Sequence, residues 1–117
     1  MITINVSDIL WAAFPFDDGG EKHRPALVLD MDDCGRVLVA YATSQRTSSV
    51  LDHEFTVSEK TCGVEALAEM GLRKDTRFDL SKRRWLVIET SVKNRIGAVP
   101  RRLLHRFMKA AKAAGLV

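Results

Sequence analysis

Residues 25–45, PALVLDMDDCGRVLVAYATSQ, decide the fold. Two runs of core-type residues, ALVLD from Ala26 and VLVAYATSQ from Val37, flank the acidic stretch Asp30 to Gly35, whose Asp and Gly content is turn chemistry. Strand, short turn, strand predicts an antiparallel hairpin, because a parallel pair needs a crossover of roughly a dozen residues or more. On the N-terminal side, DILWAAFPF (8–16) is apolar and aromatic-rich with Pro15 near its end, which predicts a strand stopping at the loop of Asp17, Asp18, Gly19 and Gly20. Beyond the hairpin, HEFTV (53–57) alternates as a half-buried strand does, and SEKTCGVEALAEMGL predicts a helix of one or two turns weakened by Gly63. TRFDL and RRWLVIE predict one or two further strands, separated by a turn around Ser81 and Lys82.

The chain closes on a helix. Pro100 suits its first position, Gly115 its stop, and Leu103, Leu104, Phe107, Met108 and Ala111 form its apolar face. Short strands with short connections and one C-terminal helix predict a mainly β (α+β) fold, a small antiparallel β-barrel with short helices, as a single domain over 1–117.

The 117 residues suffice for one core without metals or disulfides. No apolar run approaches the roughly 20 residues that cross a bilayer, and the N-terminus lacks the pattern of a secretory signal, so the expectation is a soluble, cytoplasmic protein with no membrane role. Cys34 and Cys62 lack paired spacing and read as free, partly buried thiols. The formal net charge of +3 conceals a division: residues 1–71 carry 5 Lys/Arg against 12 Asp/Glu, residues 72–117 carry 13 against 3. Either the basic half meets a polyanion or acidic partner, or its cations solvate the C-terminal helix and its approach.

His23, His53 and His105 are scattered without acidic pairs at ligand spacing, so no metal site and no cofactor is expected. Gly19-Gly20 lacks the ending of a phosphate loop, and there is no nucleophile elbow. What remains are loop and strand-end residues: Glu21, Lys22, His23 and Arg24; Thr43, Ser44, Gln45 and Arg46; Arg73, Lys74, Asp75 and Arg77. The first two groups flank the same hairpin, where Arg24 and Thr43 become neighbours, a guanidinium beside a hydroxyl that would cradle a phosphate. The plainer alternative is a polar strand end satisfying its own turn. Arg77, Lys82, Arg83 and Arg84 fit a basic track, with Trp11 or Phe78 as stacking surfaces and Trp85 in the core or an interface.

HRPALVLD, preceded by DILWAAFPFDDGG and followed by the strand ending in TSQ, resembles the MazF/PemK family of bacterial toxin ribonucleases. Ser7-Asp8-Ile9-Leu10-Trp11 stands where that family has a Gly-Asp strand start, with Ser in place of the usual Gly. The resemblance implies an SH3-like barrel, a homodimer, and the toxin of a type II toxin–antitoxin pair. It implies metal-independent cleavage of single-stranded RNA to a 2′,3′-cyclic phosphate and a 5′-OH, and an acidic, partly disordered cognate antitoxin as partner. By the same resemblance Arg24 stabilises the phosphorane or donates a proton, Thr43 contacts the scissile phosphate, and Arg73 and Asp75 fall where acid and base roles are assigned. The family's acid or histidine about five residues before the arginine is replaced by Gly19, and Thr76 stands where Gln follows the aspartate in many members, which makes His23 a candidate for proton transfer. Glu21, Lys22, Ser44, Gln45, Arg46, Lys74 and Arg77 are the expected RNA contacts. The alternatives are a toxin of the same fold that inhibits DNA gyrase without catalysis, and a non-catalytic RNA- or protein-binding module.

Overall fold

The computed structural model describes residues 3–15, 21–48 and 51–116. Six strands form one antiparallel sheet in the order β4-β5-β3-β2-β1-β6: β1 Asp8–Pro15, β2 Glu21–Met31, β3 Arg36–Thr43, β4 Glu54–Val57, β5 Thr76–Val87 and β6 Val92–Ala98. The mainly β class and the hairpin hold as expected. The barrel is loose: among the described residues β6 and β4 stay unpaired with each other, so the sheet does not close.

The central strands read as unbroken apolar runs because they bury both faces. Leu27, Leu38, Ala40 and Ala42 face one cluster, shared with Phe55, Phe78, Met70 and Phe107, while Ala26, Val28, Val37 and Val39 face a second with Leu10, Leu86 and Val92. The hairpin turn is built by Asp32, whose Oδ1 accepts from the backbone N–H groups of Cys34 and Arg36, both at 2.9 Å, and whose Oδ2 meets Arg36 Nε at 2.6 Å. The Arg36 backbone N–H foremost, against desolvation and with the Arg36 side chain and Cys34 N–H adding to it, holds that carboxyl below its ordinary range.

Three expectations change here. β5 is one strand of 12 residues, and the turn around Ser81 is a bulge instead: Ala40 pairs with Arg83 and Ala42 with Phe78, so on the β3 edge Asp79 to Lys82 stand against Tyr41 alone, while Asp79 still pairs with Glu54 of β4. Asp79 Oδ1 holds the bulge by accepting from the Ser81 N–H at 3.0 Å and hydroxyl at 2.6 Å. Burial raises the Asp79 carboxyl, but the Ser81 bonds with the charges of His53 and Lys82 outweigh it and the net shift is downward. The second change is at 59–69, where Gly63, at φ +87°, divides the helix into α1 Glu59–Cys62 and α2 Val64–Glu69. The third is β6, which the sequence reading left unassigned; α3 Ile88–Ser91 turns the chain into it.

The C-terminal helix begins with a 3₁₀ turn over Arg101–Leu103 and continues as α4 Leu104–Ala113. Its buried stripe is Leu103, Phe107, Ala110 and Ala111, with Leu104 half-buried; Met108 is 46% exposed and lies off that face. The spacing 103, 107, 110, 111 is one helical face, and Met108 lies about 60° beyond its Ala111 edge. Cys34 and Cys62 are free thiols, Cys34 exposed and Cys62 half-buried. Among the described residues no helix is long and apolar enough to cross a membrane.

Candidate functional site

The ladder between β2 and β3 ends at the pair Ala26–Tyr41. Pro25 has no N–H to continue it. Upstream of that point β2 stays paired with β1, Trp11 opposite Pro25 and Ala12 opposite Arg24, while Ala42 and Thr43 stay paired with Phe78 and Arg77 on β5. The two strands of the hairpin part, and a cleft of about 730 Å³ opens between them. Arg24 and Pro25 line one side of it, Ala42, Thr43, Ser44 and Gln45 the other. Arg73 and Lys74, on the turn entering β5, close the third side, and Trp11, Asn94 and Ile96 form the remainder with Leu72 and Thr76.

Arg24 and Thr43 therefore share one cavity, as the hairpin geometry predicts. Thr43 Oγ1 accepts the Gln45 N–H at 3.2 Å, which leaves the hydroxyl proton available to a ligand. Arg24 lies close enough to Tyr41 for its charge to act on the phenol. Burial pushes that phenol up, and Arg84 and then Arg24 draw it partly back. The described lining carries Arg24, Arg73 and Lys74 and no carboxylate, which favours an anionic ligand.

The other expected residues are distributed differently. Strand alternation puts His23 and Arg24 on opposite faces of β2. His23 lies on the face of Trp11, with the rings stacked at 6.1 Å between centroids, and reaches the cleft only through that indole. Asp75 lies outside the main cleft: its Oδ1 accepts the Glu59 N–H at 2.8 Å, so the carboxylate caps α1 and lines a second, adjoining cleft. Arg77 is drawn into the fold by an ion pair with Glu54 and by donation from its Nε to the Gln45 carbonyl at 3.1 Å. Lys22 and Arg46 are exposed and outside the lining, Arg46 at φ +54°. Glu21 is placed by its backbone as the first residue of β2, and its side chain, like residues 16–20 with Gly19, lies outside the described set.

The basic track is not continuous. Arg83 and Arg84 leave β5 on opposite faces: Arg83 donates to the Leu80 carbonyl at 3.2 Å and the Ala114 carbonyl at 3.0 Å, while Arg84 lies 5.9 Å from the Tyr41 ring. Phe78 is wholly buried and offers no stacking surface. Trp85 is 39% exposed beneath the Arg36 guanidinium, outside the core. Thr76 is buried, its hydroxyl donating to the Lys74 carbonyl at 2.9 Å, and so fixes the turn that carries Lys74.

Sequence reasoning missed Asn94 and Ile96, since the strand bearing them was itself unassigned. It also missed Gly71, at φ +71°, where an added Cβ would lie 2.4 Å from the Ile96 carbonyl oxygen. Only glycine lets the turn before Arg73 press against β6. Among the described residues no group of three or more His, Cys, Asp or Glu converges as metal ligands.

Comparison with known proteins identifies the family and the fold. Residues 5–114 match the family described as PemK-like, MazF-like toxin of type II toxin-antitoxin system. No curated protein matches the chain significantly in sequence. Among solved structures, the chain is similar to the Mycobacterium tuberculosis toxin MazF-mt6, with TM-score 0.67 and 19% identity over 92% of this chain and 95% of that one. It is similar to an endoribonuclease in complex with its cognate antitoxin from Mycobacterial species, with TM-score 0.64 and 11% identity over 97% and 98%. A further match, described as an Mtb toxin, has TM-score 0.57 and 19% identity over 79% and 89%. At these identities the structures speak for the fold, and the match over 5–114 for the family: the chain belongs to the PemK-like, MazF-like toxins of type II toxin–antitoxin systems.

Proposed function

We propose that this toxin is a metal-independent endoribonuclease of single-stranded RNA, and that residues 1–117 work as one catalytic domain. The observation that carries the reading is Arg24 and Thr43 lining one cationic cleft with Arg73 and Lys74. The reaction is an internal transfer: the ribose 2′-oxygen bonds to phosphorus, the bond to the 5′-oxygen breaks, and the products are a 2′,3′-cyclic phosphate and a 5′-OH. One proton leaves the 2′-OH and one reaches the 5′-oxygen. Arg24, with Arg73 and Lys74, offsets the charge of the phosphorane, and the Thr43 hydroxyl donates to a non-bridging oxygen. His23, stacked on Trp11 beside the cleft lining, is the candidate here for moving a proton. Asp75 acts on this chemistry through the turn it anchors to α1.

Acting on cellular RNA, the toxin would work in the cytoplasm. An acidic, partly disordered antitoxin would cover the cationic cleft and fold upon it. The active form is a homodimer. Purified protein is incubated with a long single-stranded RNA in EDTA, with Arg24→Ala alongside, and the cut ends are mapped. Discrete cuts ending in 2′,3′-cyclic phosphate, reduced by about a hundredfold or more in Arg24→Ala, are expected. Intact RNA, or equal cutting by a folded Arg24→Ala, overturns the reading and turns attention to a binding role.

A further inference from the structure

A second cleft, of about 430 Å³, adjoins the first, and Ser44, Leu72, Arg73 and Lys74 border both. Part of its lining is apolar. Val64, Leu67 and Ala68 stand at i, i+3 and i+4 of α2, one face of that helix, with Leu72 beside them. Leu67 and Leu72 are buried, but Val64 is 59% exposed, a large apolar side chain left open to solvent at the mouth of a cavity. Two carboxylates also line it, Glu59 and Asp75, the latter directly after Lys74 in the chain.

We propose that this second cleft is the subsite for one nucleobase next to the scissile phosphate, and that it selects a base bearing an exocyclic amine, adenine, cytosine or guanine, over uracil. The inference rests on the ribonuclease reading of the neighbouring cleft. A flexible RNA strand held at its phosphates by Arg73 and Lys74 has its next base within one nucleotide of the shared border, and a splayed base needs an apolar surface to lie on. Val64, Ala68 and Leu72 supply that surface. Ionised carboxylates only accept hydrogen bonds, so Glu59 and Asp75 pair with an amino group and repel the carbonyl edge of uracil. Glu59 and Val64 are thereby specificity-determining residues, while Arg24 and Thr43 carry the chemistry.

The test compares the unaltered protein with Ala68→Phe, which fills the cleft from an exposed helix position, and Glu59→Gln, which exchanges an acceptor for an amide. Each cuts the same long RNA, the cut ends are sequenced, and thermal melting followed by circular dichroism checks that each variant is folded. The unaltered protein is expected to prefer an amine-bearing base, adenine, cytosine or guanine, over uracil at one fixed position beside the cut. Ala68→Phe loses that preference by about tenfold and still leaves cyclic phosphate ends, and Glu59→Gln weakens discrimination against uracil. Unchanged base preference in both folded variants overturns the subsite, leaves the cleft to a protein partner, and leaves the ribonuclease reading standing. A fixed preference for uracil overturns the amine assignment. Intact RNA with the unaltered protein overturns the ribonuclease reading and this inference with it.

Discussion

Ser7 adopts φ +77°, a left-handed conformation that costs a residue with a Cβ about 1–2 kcal/mol. Its backbone is held there from both sides, since its N–H donates to the Val28 carbonyl and its carbonyl accepts from Val99 N–H, each at 2.9 Å. This explains why glycine is the usual residue of the motif at this place. Ser7→Gly is expected to stabilise the protein by about 0.5–1 kcal/mol, the relief of strain less the added freedom of the unfolded chain. A urea titration checks it, and a fall in the midpoint would contradict it. Arg77 makes the opposite case, because its partner Glu54 retains only 2% side-chain exposure. Arg77→Ala strips a buried carboxylate of its cation and is expected to lower unfolding free energy on the order of 3 kcal/mol. An RNA contact alone would leave the urea midpoint in place.

At the scale of elements, the cleft depends on how closely the turn after α2 rides on β6. An added Cβ at Gly97 would lie 2.4 Å from the Met70 carbonyl carbon and 2.5 Å from the Glu69 oxygen, backbone atoms that cannot rotate away. Gly97→Ala must lift α2 from the sheet, at a cost of about 1–3 kcal/mol. The same shift carries Leu72, Arg73 and Lys74 outward, so the variant is expected to lose stability in urea and RNA affinity together. Retained affinity at reduced stability would show that the turn is not a wall of the binding surface. The bulge in β5 works in a similar way: it lets β5 pair with β3 on both sides of Asp79 to Lys82, while the end from Thr76 to Asp79 also carries β4 on its other edge.

For the whole molecule, the charge division along the sequence becomes a spatial one only in part. Of the cations after residue 71, Arg73 and Lys74 face the cleft, while Arg77, Arg83, Arg95 and Arg102 are held by Glu54, backbone carbonyls, Asp8 and Glu69 respectively. Three cations facing a single-stranded phosphate backbone give an expected slope of about −2 for log affinity against log salt concentration. The measurement uses an RNA with 2′-deoxyribose at the cut, which binds without reacting. Arg73→Ala should reduce the slope by about 0.7. A slope near zero would exclude this cleft as the path of the strand.

The chain by itself determined its local elements: the hairpin of apolar runs around an Asp-Gly turn, the terminal helix, and the Arg24–Thr43 neighbourhood that antiparallel pairing forces. These follow from short-range periodicity and turn chemistry, which act within a few residues and are therefore legible in order along the sequence. Tertiary structure alone decided that the sheet stays open, that β6 lines the cleft with Asn94 and Ile96, and that His23 points away from Arg24's face. It alone drew Asp75 to the α1 N-terminus and Arg77 to Glu54. Each of those outcomes is a choice among partners distant in sequence, and a charged or polar side chain goes to whichever unsatisfied group the packed fold brings within reach.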